Sequence, residues 1–286
     1  MPRLLALGHV SRDRRPGGDV LGGSVTYGAL AARKLGWEAA ILTSAGPDFD
    51  PERELPGIPA FVRRSSATTR FVNEYDADGT RHQVVTARAE DVDLEALVAA
   101  WRDPDALLLG PLVGELSGVG ATALEAGCVG AIAQGYVRAI DGDGLVSARE
   151  WARPERDLLG VHVLFLSEHD LPDALARARD LLSHVPMIAL TRGWRGLTLL
   201  TRQGTHEVPS LPRPEVDPTG AGDVFAAAFL VRYQETGDPL EAAGFGACAA
   251  SCAVEGVGTT TLGDRDEVLR RVALRERMIE TGDWEE

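Results

Sequence analysis

The 286-residue sequence has a single lysine, Lys34, so nearly all of its 29 basic residues are arginines. It therefore contains no Gly-Lys-Ser/Thr sequence and cannot form the P-loop in which a lysine binds nucleotide phosphates. Acidic residues outnumber basic ones by 43 to 29, which gives a net charge of −14. This charge disfavours nucleic acid and anionic membrane surfaces as partners, and an anionic ligand would need local hydrogen-bond donors.

Cysteines are few, and long hydrophobic runs are missing. Cys128, Cys248 and Cys252 have neither metal-ligand nor redox spacing, and the last two, one helical turn apart, are typical of small core residues. The initial Met-Pro-Arg is not followed by the apolar stretch of a signal peptide, and no run approaches the length of a membrane span. We therefore expect a cytoplasmic protein without a membrane partner.

The most informative segment is 216–225, Val-Asp-Pro-Thr-Gly-Ala-Gly-Asp-Val-Phe, which places a glycine-rich turn and a carboxylate before the apolar run 225–231. The first amides of a helix lack helical acceptors and can bind phosphate oxygens without a cationic side chain. Asp223 would repel a phosphate, so its presence is best explained if it removes a proton from an attacking hydroxyl. The segment predicts a phosphoryl-transfer centre, with a helix-capping aspartate as the simpler alternative.

Along the rest of the chain, predicted strands and helices alternate. Helices are predicted at 94–101, 117–126, 171–184, 221–234, 239–254 and 265–280, with strands such as 105–110, 129–134, 160–166 and 186–191 between them. Repeated βα units predict a parallel sheet covered by helices on both faces. Residues 60–88 are rich in β-formers around a turn at 76–79, which indicates a hairpin outside that sheet. We expect one domain, 1–286, with a lid formed by about 10–22 and 60–88.

The string Asp-Pro-Thr-Gly-Ala-Gly-Asp at 217–223 resembles the C-terminal signature of the ribokinase family of carbohydrate kinases, also called the PfkB family. The resemblance covers nearly the whole chain. It implies an α/β fold in which a parallel sheet lies between helices and carries a small β-sheet lid. It also implies a phosphotransferase that moves the γ-phosphoryl of MgATP to a hydroxyl of a small sugar or polyol. Amides of Gly220, Ala221 and Gly222 would then bind the transferred phosphoryl, and Asp223 would be the catalytic base.

Further pieces of the family pattern imply an acceptor site. Residues 8–13, Gly-His-Val-Ser-Arg-Asp, are similar to the family's first strand and loop, whose final Asp binds sugar hydroxyls. Paired glycines follow at 22–23, although Tyr27 stands where many sugar kinases have Asn. The segment 133–138, Ala-Gln-Gly-Tyr-Val-Arg, looks like that of plant-type myo-inositol kinases. The implied acceptor contacts are Asp13, Gly22, Gly23, Tyr27, Asn73, Gln134 and Arg138.

The resemblance also implies a nucleotide site and metal sites. The segment 191–196, Thr-Arg-Gly-Trp-Arg-Gly, resembles the turn that borders the nucleotide, and the helix after residue 241 would form the adenine wall. Ser167 replaces the Asn of the family stretch that supports Mg²⁺ through water. The implied nucleotide contacts are Thr191, Gly193, Gly196, Ala247 and Ser251. The implied metal ligands are Glu168 and Asp170 for Mg²⁺, and Asp217 and Thr219 for the monovalent cation, such as K⁺, that some members bind.

Several alternatives stay open. A nucleoside kinase of the same family would carry the same signature, although an inositol-like polyol is favoured. A non-catalytic sensor of a polyol or nucleotide is supported by Ser167 and opposed by Asp223. A dinucleotide-dependent oxidoreductase is disfavoured because no Gly-x-Gly-x-x-Gly follows the first strand. The exposed face and edges of the predicted lid would also allow a homodimer, which residues 60–88 do not decide.

Overall fold

The computed structural model describes residues 1–15, 17–75, 81–117 and 119–282. In this part of the chain the strands are β1 (Arg3–Leu7), β2 (Ser11–Arg15), β3 (Gly18–Gly22), β4 (Glu38–Ala45), β5 (Ala60–Arg64), β6 (Thr69–Tyr75), β7 (Arg81–Ala87), β8 (Ala106–Leu109), β9 (Cys128–Ile132), β10 (Arg138–Ile140), β11 (Val146–Ala148), β12 (Val163–Ser167), β13 (Met187–Thr191), β14 (Leu197–Thr201) and β15 (Thr205–Val208). The helices are α1 (Ser24–Lys34), α2 (Pro51–Glu54), α3 (Pro154–Asp157), α4 (Ala174–Leu181), α5 (Ala221–Thr236), α6 (Pro239–Ala253) and α7 (Arg265–Thr281).

The large sheet has the strand order β15-β14-β13-β12-β9-β8-β1-β4-β5. The strands from β13 to β5 pair in parallel, whereas β14 and β15 add an antiparallel edge. The side chains of β1 alternate between two hydrophobic cores, with Leu4 and Ala6 on one side and Leu5 and Leu7 on the other. The first core includes α1, α5 and α6, and the second includes α4. The predicted sheet with helices on both faces is thus confirmed.

Local signals explain why α6 and α7 were predictable. The Asp238 side chain accepts hydrogen bonds from the amides of Leu240 and Glu241 and begins α6, and Asp264 caps α7 in the same way. By contrast, the helices predicted at 94–101 and 117–126 are wrong. The described residues there form only short 3-10 turns, at Leu94–Ala96, Ala99–Trp101 and Ala121–Ala123. The second segment contains glycines, which weaken a helix.

A second, four-stranded sheet has the order β3-β2-β6-β7. β2 and β3, within the segment 10–22 predicted to belong to the lid, pair as antiparallel strands, and β2 pairs in parallel with β6. β6 and β7 form the predicted hairpin, whose turn at 76–79 lies outside the described residues. Residues 60–64 instead form β5, at the edge of the large sheet beside β4, because Ile41 to Ala45 supply a hydrogen-bonding edge there.

Two contacts help to position the small sheet. After β1, the backbone amides of His9 and Leu112 donate to the fully buried Glu115 carboxylate, at 2.8 and 2.9 Å, which anchors the chain entering β2. The β10–β11 hairpin contacts β7 through a bridge between Val84 and Leu145. Among the described residues, no helix is both long and apolar enough to span a membrane.

Candidate active site

A cleft of about 950 Å³ lies between the carboxyl ends of β9, β12 and β13, the first turn of α5 and the small sheet. Its volume is at the upper end of the range for small-molecule sites. Open parallel sheets bind ligands in this position, beyond the carboxyl ends of their strands. One end of the cleft lies beneath the small sheet and the other lies beside α6. Helix α5 begins between the two ends.

The loop before α5 presents unpaired backbone amides to the cleft. Gly220 is the N-cap of α5 in the left-handed region, with φ of 81°, and has no side-chain cap. Among the described residues, the amides of Gly220 and Gly222 have no acceptor, whereas the Ala221 amide donates to Pro218 O at 3.2 Å. Two of the three predicted phosphate donors are thus free, and the third is already partly satisfied. Unpaired amides at a helix N-terminus favour an anion.

Asp223 lies in the first turn of α5, half-buried and facing the cleft. Removal from bulk water raises its pKa to about 6. Ser24 and the charge of Arg138 act in the opposite direction, and the carboxylates of Asp170 and Asp13 raise the pKa further. A carboxylate with a pKa near the working pH is suited to general-base chemistry.

Asp13 and the paired glycines meet where β2 and β3 adjoin α1. The Asp13 carboxylate accepts a hydrogen bond from Ser11 Oγ at 2.9 Å and lines the cleft. Gly22 does not line the cleft. A Cβ at this position would collide with the Asp13 carboxylate and with Ser11 Oγ, so the glycine makes room for the acid. Gly23, with φ of 96°, lines the cleft, begins α1 and packs against the backbone of residues 9–11.

The other predicted acceptor residues surround the same end of the cleft. Gln134 and Arg138 line it, and the Arg138 guanidinium lies 5.9 Å from the centre of the Phe71 ring. Tyr27 is 2% exposed, and its ring packs against Gly220, so it forms a wall shared with the loop 218–222 at the start of α5, called the anion loop below. Asn73 lies in β6, and its side chain is outside the described part of the structure.

The predicted nucleotide residues Thr191, Gly193, Gly196, Ala247 and Ser251 all line the opposite end of the cleft. Gly196 has φ of 87° and lies against the backbone of residues 208–210, so a side chain there would clash. The Ser251 hydroxyl is already bonded to Cys248 O and to Arg271. Trp194, between the two glycines of the turn, is 74% exposed and also lines the cleft.

Glu168 and Asp170 follow β12 and line the cleft near the anion loop. Glu168 accepts from Arg195 at 2.5 Å, and Asp170 accepts from the Ser167 amide at 2.7 Å; burial raises the pKa of Asp170. In the described residues, no group of three or more His, Cys, Asp or Glu could hold a metal. The two acids fit a hydrated Mg²⁺, because this ion takes one or two carboxylates and fills its other positions with water and phosphate oxygens.

Asp217 lies behind the loop, outside the cleft lining, and is 8% exposed. It and Thr219 are adjoined by Arg15, whose guanidinium donates to Asp217 Oδ2 at 2.7 Å and to Thr219 Oγ1 at 3.2 Å. Sequence reasoning did not single out Arg15. No signal in the chain links residues 202 positions apart.

Two further residues were missed. The Ser24 hydroxyl is buried, lines the cleft and lies beside the Asp223 carboxylate, whose charged form it stabilises. Ser24 directly follows Gly23, a predicted acceptor contact, and this position could have indicated that it lies at the acceptor end of the cleft. Trp194 was also inside a recognised motif, at a position where the motif accepts any residue.

The two sheets and the cleft between them define an α/β protein of the ribokinase fold, with an anion loop at the start of a helix. Residues 149–265 match the model described as pfkB family carbohydrate kinase. The chain thus has the fold of the ribokinase family and, over those residues, its sequence pattern, which confirms the resemblance drawn from the motifs.

Individual proteins show the same similarity. The nucleoside kinase of Methanocaldococcus jannaschii is 35% identical over 116 residues, so the match spans 38% of this chain and 38% of that relative. A sulfate complex of a pyrophosphate-dependent kinase in the ribokinase family superimposes with a TM-score of 0.77 at 23% identity, covering 94% of this chain and 99% of the other. A complex of such a kinase with a pyrophosphate analog and myo-inositol has a TM-score of 0.75 at 23% identity, with coverage of 94% and 99%.

Proposed function

We propose that the protein is an ATP-dependent kinase that transfers the γ-phosphoryl of MgATP to a hydroxyl of a small sugar or polyol, with an inositol-like polyol favoured. The observation that carries the proposal is the place of Asp223. Its carboxylate, with a raised pKa, lies beside the unpaired amides of Gly220 and Gly222, between the two ends of the cleft. A base next to an anion site is what phosphoryl transfer from a phosphate to an alcohol requires.

In the proposed reaction, the acceptor lies over Asp13 and Gly23, and the small sheet excludes water from it. Asp223 accepts the proton of the attacking hydroxyl while the amides of Gly220 and Gly222 stabilise the charge on the transferred phosphoryl. Mg²⁺, held near Glu168 and Asp170, would neutralise phosphate charge. We place this reaction in the cytoplasm, where ATP is available.

The acceptor end has the groups that a polyol would need. Asp13 supplies carboxylate acceptors, Gln134 supplies both a donor and an acceptor, and Arg138 supplies donors. Ser24 adds a buried hydroxyl beside Asp223. A ring with several hydroxyls could hydrogen-bond to all four side chains, and the kinase structure bound to myo-inositol has the same fold as this chain.

The pH dependence of turnover should follow Asp223. Because its raised pKa is about 6, the base form is lost below that pH, and we expect kcat/KM to fall about tenfold per pH unit there. Arg138→Gln removes a charge that lowers this pKa, so the acid limb of the pH profile of kcat/KM should move to higher pH. Arg177→Gln, on the exposed surface of α4, is the matched control and should leave the limb in place. Equal limbs in wild type and Arg138→Gln would contradict this electrostatic assignment.

The donor can be tested through Trp194. The cleft continues past the anion loop to Ala247, Ala250 and Val254, and the exposed Trp194 ring stands at that end. Stacking of a base on an aromatic side chain contributes about 1–3 kcal/mol, so Trp194→Ala should raise KM for ATP about 5- to 150-fold. Pyrophosphate has no base, so turnover with it should not change. A pyrophosphate-dependent enzyme would show the reverse preference in wild type.

The first test is ADP release from MgATP over a panel of polyols, sugars and nucleosides, with Asp223→Asn protein as the blank. Turnover with one alcohol that vanishes in the variant would support the proposal and identify the acceptor class. A preference for nucleosides would instead favour the alternative of a nucleoside kinase, like the Methanocaldococcus jannaschii relative. Ligand binding without turnover on any acceptor would favour a non-catalytic sensor, consistent with the pairing of Glu168 to Arg195. A homodimer through the small sheet stays a prediction.

A further inference from the structure

The Arg15 side chain links the small sheet to the anion loop. Arg15 ends β2, and its two terminal nitrogens donate separately to Asp217 Oδ2 and Thr219 Oγ1, at 2.7 and 3.2 Å. These are the two side chains that the family resemblance assigns to a monovalent cation. Asp13 lies two residues earlier on the same face of β2, so this strand carries both the proposed acceptor-binding carboxylate and the Arg15 guanidinium.

The contact is a well-satisfied ion pair. Besides Arg15, the Asp217 carboxylate accepts from the Thr219 amide at 3.0 Å and from the Gly258 amide at 3.3 Å. Burial opposes ionisation, but the hydrogen bonds from Thr219, Arg15 and Gly258 outweigh it and lower the pKa of Asp217 to about 2. The carboxylate is therefore fully charged at neutral pH. The paired guanidinium also keeps its charge, since the Asp217 hydrogen bond raises the pKa of Arg15.

A monovalent cation does not fit this arrangement. Its ligands would be the same oxygen atoms that already accept from the guanidinium, and a second cation beside Arg15 would be repelled. A guanidinium supplies one fixed positive charge, which is the charge of K⁺, in a group that cannot dissociate from the chain. The Asp217 charge is thus already balanced by the protein itself.

We propose that the Arg15 guanidinium is a covalently attached substitute for the monovalent cation, so that this protein is independent of K⁺. The part of this inference that concerns turnover rests on the proposed kinase function. The part that concerns the loop does not, because the ion pair stabilises the segment 217–220 whatever the cleft binds. Arg15 is a positioning residue in this scheme, acting through Asp217 and Thr219.

The test compares wild type with Arg15→Met, which keeps side-chain length but removes the charge. Arg14→Met is the matched control, because Arg14 is the adjacent residue, 57% exposed, and pairs with Asp19 instead. Thermal melting is measured in potassium chloride, sodium chloride and tetramethylammonium chloride at equal ionic strength. We expect the same melting temperature in all three salts for wild type and Arg14→Met. In tetramethylammonium chloride the melting temperature of Arg15→Met should lie on the order of 2–4 °C below that of wild type. In potassium chloride, but not in sodium chloride, it should return to the wild-type value.

Turnover is the second readout of the same proteins. Wild-type kcat should differ less than twofold between K⁺ and tetramethylammonium, whereas Arg15→Met should lose at least tenfold in tetramethylammonium and regain it in K⁺. If Arg15→Met does not fold, Arg15→Lys replaces it; the ammonium keeps the charge, so this variant should remain independent of K⁺.

Two outcomes overturn the inference: K⁺ activates or stabilises the wild type, or Arg15→Met melts and turns over as wild type does in every salt. If neither the wild type nor any variant shows kinase activity, the proposed function fails independently of this inference. The melting series then still decides whether Arg15 substitutes for the cation, because it needs no substrate.

Discussion

Asp223→Asn should lower kcat for phosphoryl transfer by about 10²- to 10⁴-fold, which is the usual contribution of a general base. The amide of asparagine has nearly the same shape as the carboxylate but cannot accept a proton from the attacking hydroxyl. The carboxylate is also a repulsive group beside the anion loop, so its neutralisation should leave MgATP affinity unchanged or slightly higher. The measurements are steady-state turnover with the acceptor found in the panel and MgATP binding by calorimetry.

The control must separate catalysis from helix capping. Asp223 and Asp266 both lie in the first turn of a helix, where a negative charge is favoured by the helix dipole. Asp266 is exposed on α7, away from the cleft. Asp266→Asn should therefore lose the same small dipole interaction and keep full activity. If Asp223→Asn also kept near-wild-type rates, Asp223 would be a capping residue and the proposed base would be wrong.

Gly220→Ala should damage both the stability of the protein and its activity. A left-handed backbone costs a residue with a side chain about 1–2 kcal/mol, and here the added Cβ would also meet the Tyr27 ring. Relief of this contact would move the loop and misalign the amides that face the cleft. Loss of one such donor typically costs about 10²- to 10³-fold in rate. We expect a loss of that size in kcat/KM, together with a lower melting temperature.

Gly222→Ala is the comparison that separates the two effects. Gly222 lies inside the first turn of α5, has no left-handed φ, and a Cβ there meets no atom within 4 Å. Alanine should therefore leave the melting temperature unchanged or raise it, since glycine in a helix costs about 0.5–1 kcal/mol relative to alanine. Because the new methyl group enters the open cleft, KM for the phosphate donor should still rise. Equal effects of the two variants on stability would mean that the Tyr27 contact does not constrain the loop.

The parts of the site that the sequence predicted share one property. Each depends on the conformation of only a few consecutive residues. This holds for the start of α5, where Gly220, Gly222 and Asp223 lie. The turn 191–196 is local in the same way. Motifs of this kind keep their spacing in the folded protein, so their geometry can be stated before the fold is known.

The sequence predictions that were wrong concern features that depend on the rest of the fold. β5 was assigned to the lid because its residues favour strands, but strand propensity does not determine which edge a strand joins. The expected helices at 94–101 and 117–126 had too little local preference to persist as more than short turns. Gly22, predicted as an acceptor contact, makes space for Asp13 and does not line the cleft.

The sequence alone determined the α/β class, the anion loop and the identity of the proposed base, because hydrophobic periodicity and a contiguous glycine-rich motif are written in neighbouring residues. Only the tertiary structure decided that β2 and β3 join the small sheet, that Ser24 stands beside Asp223, and that Arg15 occupies the predicted cation position. These depend on contacts between residues up to 204 positions apart, and the chain brings such residues together only after both sheets have formed. The charge of a side chain can be known from its type, but its partner is set by the fold.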